Sequence, residues 1–179
     1  FNRVTEINSA FILALSTLVN TIHCKNLSHN DIKLENMIID SKNVVHFIDF
    51  GSSLMINLDN AHKHNEADST NTLLIDINKL LTDEKAFAQD GQNILKIAMN
   101  KKRPAELQQE QNQYPTHNLS DFEYIAHAKC LDIVMLLAAY IASLGLLQKK
   151  QAIAFSTIKE TLTFFKREFD RESAAASVL

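Results

Sequence analysis

Residues 29–36 read His-Asn-Asp-Ile-Lys-Leu-Glu-Asn and offer a carboxylate (Asp31), an ammonium (Lys33) and an amide (Asn36) within six positions. Thirteen positions after Asn36, behind a short apolar run, comes a second carboxylate in Ile48-Asp49-Phe50-Gly51. Between them lie two β-prone runs, Met37–Ile39 and Val44–Ile48, joined by Asp40-Ser41-Lys42-Asn43, which has hairpin-turn chemistry. A hairpin of that length carries the chain out and back, so Asn36 and Asp49 can face one site. A carboxylate and an amide oxygen, completed by substrate phosphates, suit Mg²⁺, which takes few protein ligands and keeps several waters. Asp31 and Lys33 would then supply a base and a positive charge beside that ion.

The order HxDxKxxN followed by Asp-Phe-Gly resembles the catalytic and metal-binding loops of the protein kinases. The resemblance covers residues 4–51, including the run from Ile22-His23 to Leu27-Ser28-His29, which is similar to the end of the family's long helix. It implies a C-terminal lobe, mainly α (α+β overall), helical with a small β-hairpin carrying the two loops. By that resemblance Asp31 orients the substrate hydroxyl and accepts its proton, and Lys33 neutralises charge on the transferring phosphoryl group. Asn36 and Asp49 hold the metal, Mg²⁺ or alternatively Mn²⁺, while Lys33, Asn36, Ile38 and Asp49 contact ATP, with Ile38 under the adenine. His29 and Phe50 stack in the column that links the lobes. Asp76, in Ile75-Asp76-Ile77, resembles the aspartate that opens the family's central buried helix and anchors the catalytic loop.

The implied activity is ATP-dependent phosphotransfer, first as a divergent Ser/Thr protein kinase acting on a protein substrate. Lys33 favours that class. The span from Asp49 to Asp76 is only 27 positions and lacks an Ala-Pro-Glu, which favours a lipid or small-molecule kinase on the same fold. A pseudokinase binding module, or an enzyme of this shape that transfers a nucleotide, are further readings. Position 30 holds Asn where regulated kinases carry Arg, so activity should not await phosphorylation of Ser52, Ser53, Ser69, Thr70 or Thr72. No Gly-rich loop or strand lysine lies upstream of the loop in this sequence. The expectation is therefore an N-terminal lobe in cis or on a companion chain, and an inactive isolated fragment.

The elements that must position these residues follow from periodicity. Ile7, Phe11, Leu15, Leu18 and Ile22 recur at steps of three and four, predicting a helix over Val4–His23. Residues 24–35 read as a loop and 51–71 as an irregular segment that includes His62 and His64, a solvated pair rather than a zinc site. Helices are predicted over 72–81, 87–100 and 104–111. Ser120 and Glu123 have capping-box spacing for a helix to about Ala128. Leu131–Gln148 and Phe155–Glu172 complete the set. This divides the chain into a lobe over 1–172 (catalytic loop 29–36, metal triplet 49–51, shortened segment 52–71, helical remainder 72–172) and a frayed tail over 173–179.

Composition narrows the function classes. The 179 residues carry 46% hydrophobic content, only 3 Gly and 2 Pro, and a net charge of −3 from 18 basic and 21 acidic residues. Scarce Gly and Pro favour helices over a many-turned β-sandwich. Lys101-Lys102-Arg103 is the densest basic run, too little for a nucleic-acid footprint. Cys24 and Cys130 lack disulfide or zinc spacing and read as reduced, partly buried thiols. The apolar stretch Ile133–Leu147 is shorter than the roughly 20 residues of a membrane span and reads as a core helix. Phe11–Val19 is interrupted by Ser16 and Thr17 and lacks the flanks of a signal sequence. These features imply a cytosolic protein with no membrane span. The Asn-, Lys- and Ile-rich, Gly-poor composition resembles kinase-like effectors that bacteria deliver into host cells, which would place it in a host cytosol.

Overall fold

A computed structural model describes residues 2–55, 84, 85, 87 and 121–174. The described part is mainly α-helical, with two small antiparallel sheets. Helix α1 spans Val4–Thr17 and continues through a wider turn, Leu18–Ile22, and a tighter one, His23–Lys25. Its predicted apolar face is the buried one: Ile7, Phe11, Leu15, Leu18 and Ile22 all lie in the core. Leu18, Val19 and Ile22 carry the buried face on through the wide turn. Asn26 ends the run in the left-handed conformation, φ 51°.

Helix α2, Asp121–Gln148, is one element of 28 residues. The two helices predicted on either side of Lys129-Cys130 are continuous, since neither Gly nor Pro stands there to break them. From Cys130 to Ile141 every residue except Leu131 is buried, so α2 has no solvent face over that stretch. Helix α3, Phe155–Ala174, is amphipathic, burying Ile158, Leu162, Phe165 and Phe169 along one side. It runs two residues past the predicted end at Glu172.

The three helices meet at aromatic rings. Tyr140 of α2 lies 5.4 Å from Phe11 of α1 and 5.8 Å from Phe165 of α3, centroid to centroid. The Tyr140 hydroxyl donates to Asn8 Oδ1 at 2.7 Å, and Asn8 Nδ2 donates to the Thr157 carbonyl at 2.7 Å. One asparagine thus ties all three elements. Tyr140→Phe is expected to cost about 1 kcal/mol, the usual net value of one hydrogen bond, because the ring and its packing remain. Urea unfolding of the two proteins checks this; a loss above about 3 kcal/mol would mean the hydroxyl holds more than Asn8.

Strands β1 (Leu27–Ser28), β2 (Met37–Ile39), β3 (Val45–Phe47) and β4 (Leu54–Met55) form two pairs. The β2–β3 hairpin is the predicted one, with Met37 opposite Phe47 and Ile39 opposite Val45. Its turn works as the residue types require: Asp40 Oδ1 accepts from the backbone N–H of Lys42 and Val44, and Asn43 takes φ 60°. The β1–β4 pair, Leu27 with Met55 and Ser28 with Leu54, arises inside segments that read as loop and irregular chain. Two-residue strands carry no alternation for a sequence to display.

Among the described residues two helical runs, Val4–Lys25 and Ala128–Gln148, are long and apolar enough to cross a membrane. The second has 78% of its apolar window buried inside the protein, as a core helix does. Cys130 is buried, and burial pushes its thiol up to about 12. Cys24 is exposed rather than partly buried, its thiol donating to the Asn20 carbonyl at 2.9 Å. The predicted helices at 72–81 and 104–111, the predicted helix at 87–100 beyond Phe87, the pair His62/His64, Asp76, Lys101–Arg103, the cap residue Ser120 and residues 175–179 lie outside the described residues.

Candidate functional site

The loop between β1 and β2 is held from below by one carboxylate. Asp132 of α2 is fully buried. Its Oδ2 accepts the backbone N–H of His29 at 2.7 Å, and its Oδ1 accepts that of Asn30 at 2.8 Å. The same Oδ2 lies 3.1 Å from Nε2 of His23, itself buried. A buried carboxylate is costly unless paired and hydrogen-bonded, and here two backbone N–H donors and an imidazole nitrogen surround it. Asp132 thus anchors the loop backbone at His29 and Asn30. A signal existed: Asp132 is the one ionisable carboxylate or base between Cys130 and Gln148, set in an otherwise apolar helix. As the flank of a core segment it reads as an end charge, whereas it lies inside.

With its backbone pinned, the loop turns sharply at Asn30, φ 63°. Asn tolerates the left-handed region far better than a long or branched side chain, which gives a local reason for Asn at this position. The Asn30 amide also donates to the Ser52 carbonyl at 3.3 Å, and Ser53 Oγ donates to the His29 carbonyl at 3.3 Å. These bonds, with the β1–β4 pair, hold the start of the segment after Gly51 against the loop.

Asp31, Lys33 and Asn36 converge as their spacing implied. Lys33 Nζ donates to Asp31 Oδ2 at 2.7 Å. Asn36 Nδ2 donates to the same oxygen at 2.8 Å and to the Asp31 carbonyl at 2.9 Å. Two donors on one carboxylate oxygen fix the Asp31 rotamer. With its nitrogen committed to Asp31, the Asn36 amide keeps its Oδ1 as an acceptor. Asn36 is buried, whereas Lys33 is about half-exposed. The Lys33 ammonium is held above the ordinary lysine range, first by the Asp31 hydrogen bond and then by the negative charge of Asp31, Glu35 and Asp49. The Asp49 carboxylate therefore shares one electrostatic neighbourhood with the loop.

Asp49 is brought there by the hairpin. The Ile48 N–H donates to the Asn36 carbonyl at 3.0 Å, stitching the end of β3 to the end of the loop. His29 Nε2 lies 3.0 Å from the Ile48 carbonyl, and its ring sits 4.6 Å from Phe50 and 5.8 Å from Phe47. The expected His29–Phe50 contact is present. Asp49 itself is left-handed, φ 60° and ψ 66°, and its Oδ1 accepts the Gly51 N–H at 3.4 Å. A Cβ at Gly51 would stand 3.2 Å from that oxygen, so the glycine leaves room for the Asp49 carboxylate. Ile38 lies on the hairpin with 52% of its surface exposed, and Ile48 and Phe50 are exposed beside the same loop. Among the described residues no three His, Cys, Asp or Glu side chains gather as a metal cage.

Comparison of the chain with protein-family models, with curated proteins and with solved structures finds no match. What the site can do therefore rests on its own geometry: an oriented carboxylate, a lysine beside it, and an amide and a second carboxylate arranged around them.

Proposed function

We propose that this chain is the catalytic lobe of an ATP-dependent phosphotransferase of the protein-kinase type. The single observation that carries the reading is the Asp31–Lys33–Asn36 cluster on a loop whose backbone is fixed by Asp132. Phosphoryl transfer needs positioned charge more than covalent chemistry, and a rigid loop is the way to position it. Asp31 takes the proton of the acceptor hydroxyl. Lys33 balances charge on the transferring group. The oxygen donors Asn36 and Asp49 fit a hard cation such as Mg²⁺, which would supply charge neutralisation at the phosphates. Ile38, exposed on the hairpin, offers an apolar surface for the nucleotide base.

A protein hydroxyl is the acceptor favoured by Lys33. The 27 positions between Asp49 and Asp76 leave little chain for a peptide platform, and that favours a small-molecule or lipid acceptor as the second reading. Transfer from γ-labelled ATP by the complete protein tests the proposal. Asp49→Ala should abolish Mg²⁺-dependent transfer while leaving the fold intact, since among the described residues its carboxylate accepts a single hydrogen bond, the weak one from the Gly51 N–H. Equal rates in the two proteins would end the reading. Offering protein and lipid acceptors side by side separates its two forms.

A further inference from the structure

We propose that Glu172, near the end of α3, is a positioning residue for the catalytic loop, acting through His23 on Asp132 and so on the backbone of His29 and Asn30. Its catalytic meaning rests on the function proposed above; the coupling itself does not. The chain of contacts is short. Asp132 Oδ2 receives both the His29 N–H and Nε2 of His23. The other ring nitrogen, Nδ1, is buried, has no hydrogen bond, and lies 3.7 Å from Glu172 Oε1. His23 is 1% exposed, so its second nitrogen is shielded from bulk solvent.

The imidazole thus lies between two carboxylates from two helices. Only its protonated form presents N–H groups to both. A neutral ring with its hydrogen on Nε2 points a lone pair at Glu172; with its hydrogen on Nδ1 it points one at Asp132. Either tautomer sets a nitrogen lone pair against one of the two carboxylates, which is unfavourable and favours the protonated ring. The groups facing this cluster among the described residues are few. His23 meets Asp132 and Glu172; Glu172 faces Lys129 of α2 and Arg171 of its own helix. The neutral Cys130 thiol also feels Glu172 and Asp170.

The direction in pH follows. Burial lowers the His23 pKa, but Asp132 and Glu172 outweigh it and hold it above the ordinary 6.5. Burial raises the Glu172 pKa, and His23 outweighs that and holds it below the ordinary 4.5. The His23 contribution is complete below 6.5 and is lost as pH rises through its raised folded value; the Glu172 contribution is present above 4.5 and is lost on acidification. The loop is therefore held best between the two transitions.

The test uses the ¹⁵N-labelled chain and its Glu172→Gln and His23→Gln variants. The His23 ring is titrated by NMR, and hydrogen-exchange protection of the His29 and Asn30 amides is followed across the same pH range. In the wild type, protection at those two amides should fall about tenfold as His23 loses its proton, a typical size for coupling between neighbouring sites. A glutamine amide in place of the carboxylate can donate to a neutral Nδ1, so Glu172→Gln should lower the His23 midpoint and abolish the fall. His23→Gln should abolish the fall as well, and it decides the matter if Glu172→Gln does not fold. Unchanged wild-type protection across the His23 midpoint, or a wild-type profile retained in either variant, overturns the proposal. A moved profile in a protein that transfers no phosphate would keep the coupling and remove only its catalytic meaning.

Discussion

Asp132→Ala should destabilise the protein by about 3–5 kcal/mol, the cost of removing one partner from a buried ion pair. The substitution strips the acceptor from one buried and one part-buried backbone N–H group and leaves the buried His23 ring facing Glu172 alone. Each orphaned donor adds a desolvation penalty of about 1–3 kcal/mol unless the loop opens to water, and an open loop is the expected response. Asp132→Asn keeps one oxygen as an acceptor and should fall between alanine and the wild type. Denaturant unfolding gives the loss, and exchange at His29 and Asn30 locates it. A loss below about 1 kcal/mol for Asp132→Ala, the size of an ordinary surface change, would mean that the loop is held by something else.

Asp31→Ala should do the opposite: remove activity and spare the fold. As the general base it should carry about 10²–10⁴-fold of the transfer rate. Its carboxylate is 34% exposed and pairs with a lysine that is 49% exposed, and such surface pairs contribute only about 0–1 kcal/mol. Transfer from γ-labelled ATP by the complete protein, set beside the unfolding curve, reads both quantities. A rate within about tenfold of wild type would remove Asp31 from the role of base. The two substitutions together separate positioning from chemistry. Asp132→Ala lowers activity by disordering the loop, Asp31→Ala with the loop intact.

Much of this is legible without coordinates. The apolar step of three and four marks the buried face of α1, and the alternation of short apolar runs around Asp40–Asn43 marks the hairpin and its turn. The spacing of Asp31, Lys33 and Asn36 is enough to say that they converge, because a loop of six residues cannot hold them far apart. Local rules cover these cases: periodicity, turn chemistry and short reach. The left-handed positions are also written in the composition. With 3 glycines in the chain, the positive φ values among the described non-glycine residues fall at Asn26, Asn30, Asn43 and Asp49, the residue types that tolerate them.

What escapes the sequence is long-range. Nothing in the apolar run of α2 says that Asp132, about a hundred positions from the loop, ends beneath it. Its pairing depends on how α2 packs against α1 and α3, a packing in which Phe11, Tyr140 and Phe165 meet. The link from Glu172 through His23 has the same origin, since each residue alone reads as an ordinary helix-end charge. The β1–β4 pair is likewise too short to have a pattern and exists because the loop and the Asp49 segment are brought together. By itself the sequence determined which side chains could do chemistry and the local turns that present them. The tertiary structure alone decided which buried charge holds the loop still, because a buried charge is stable only where distant partners converge on it.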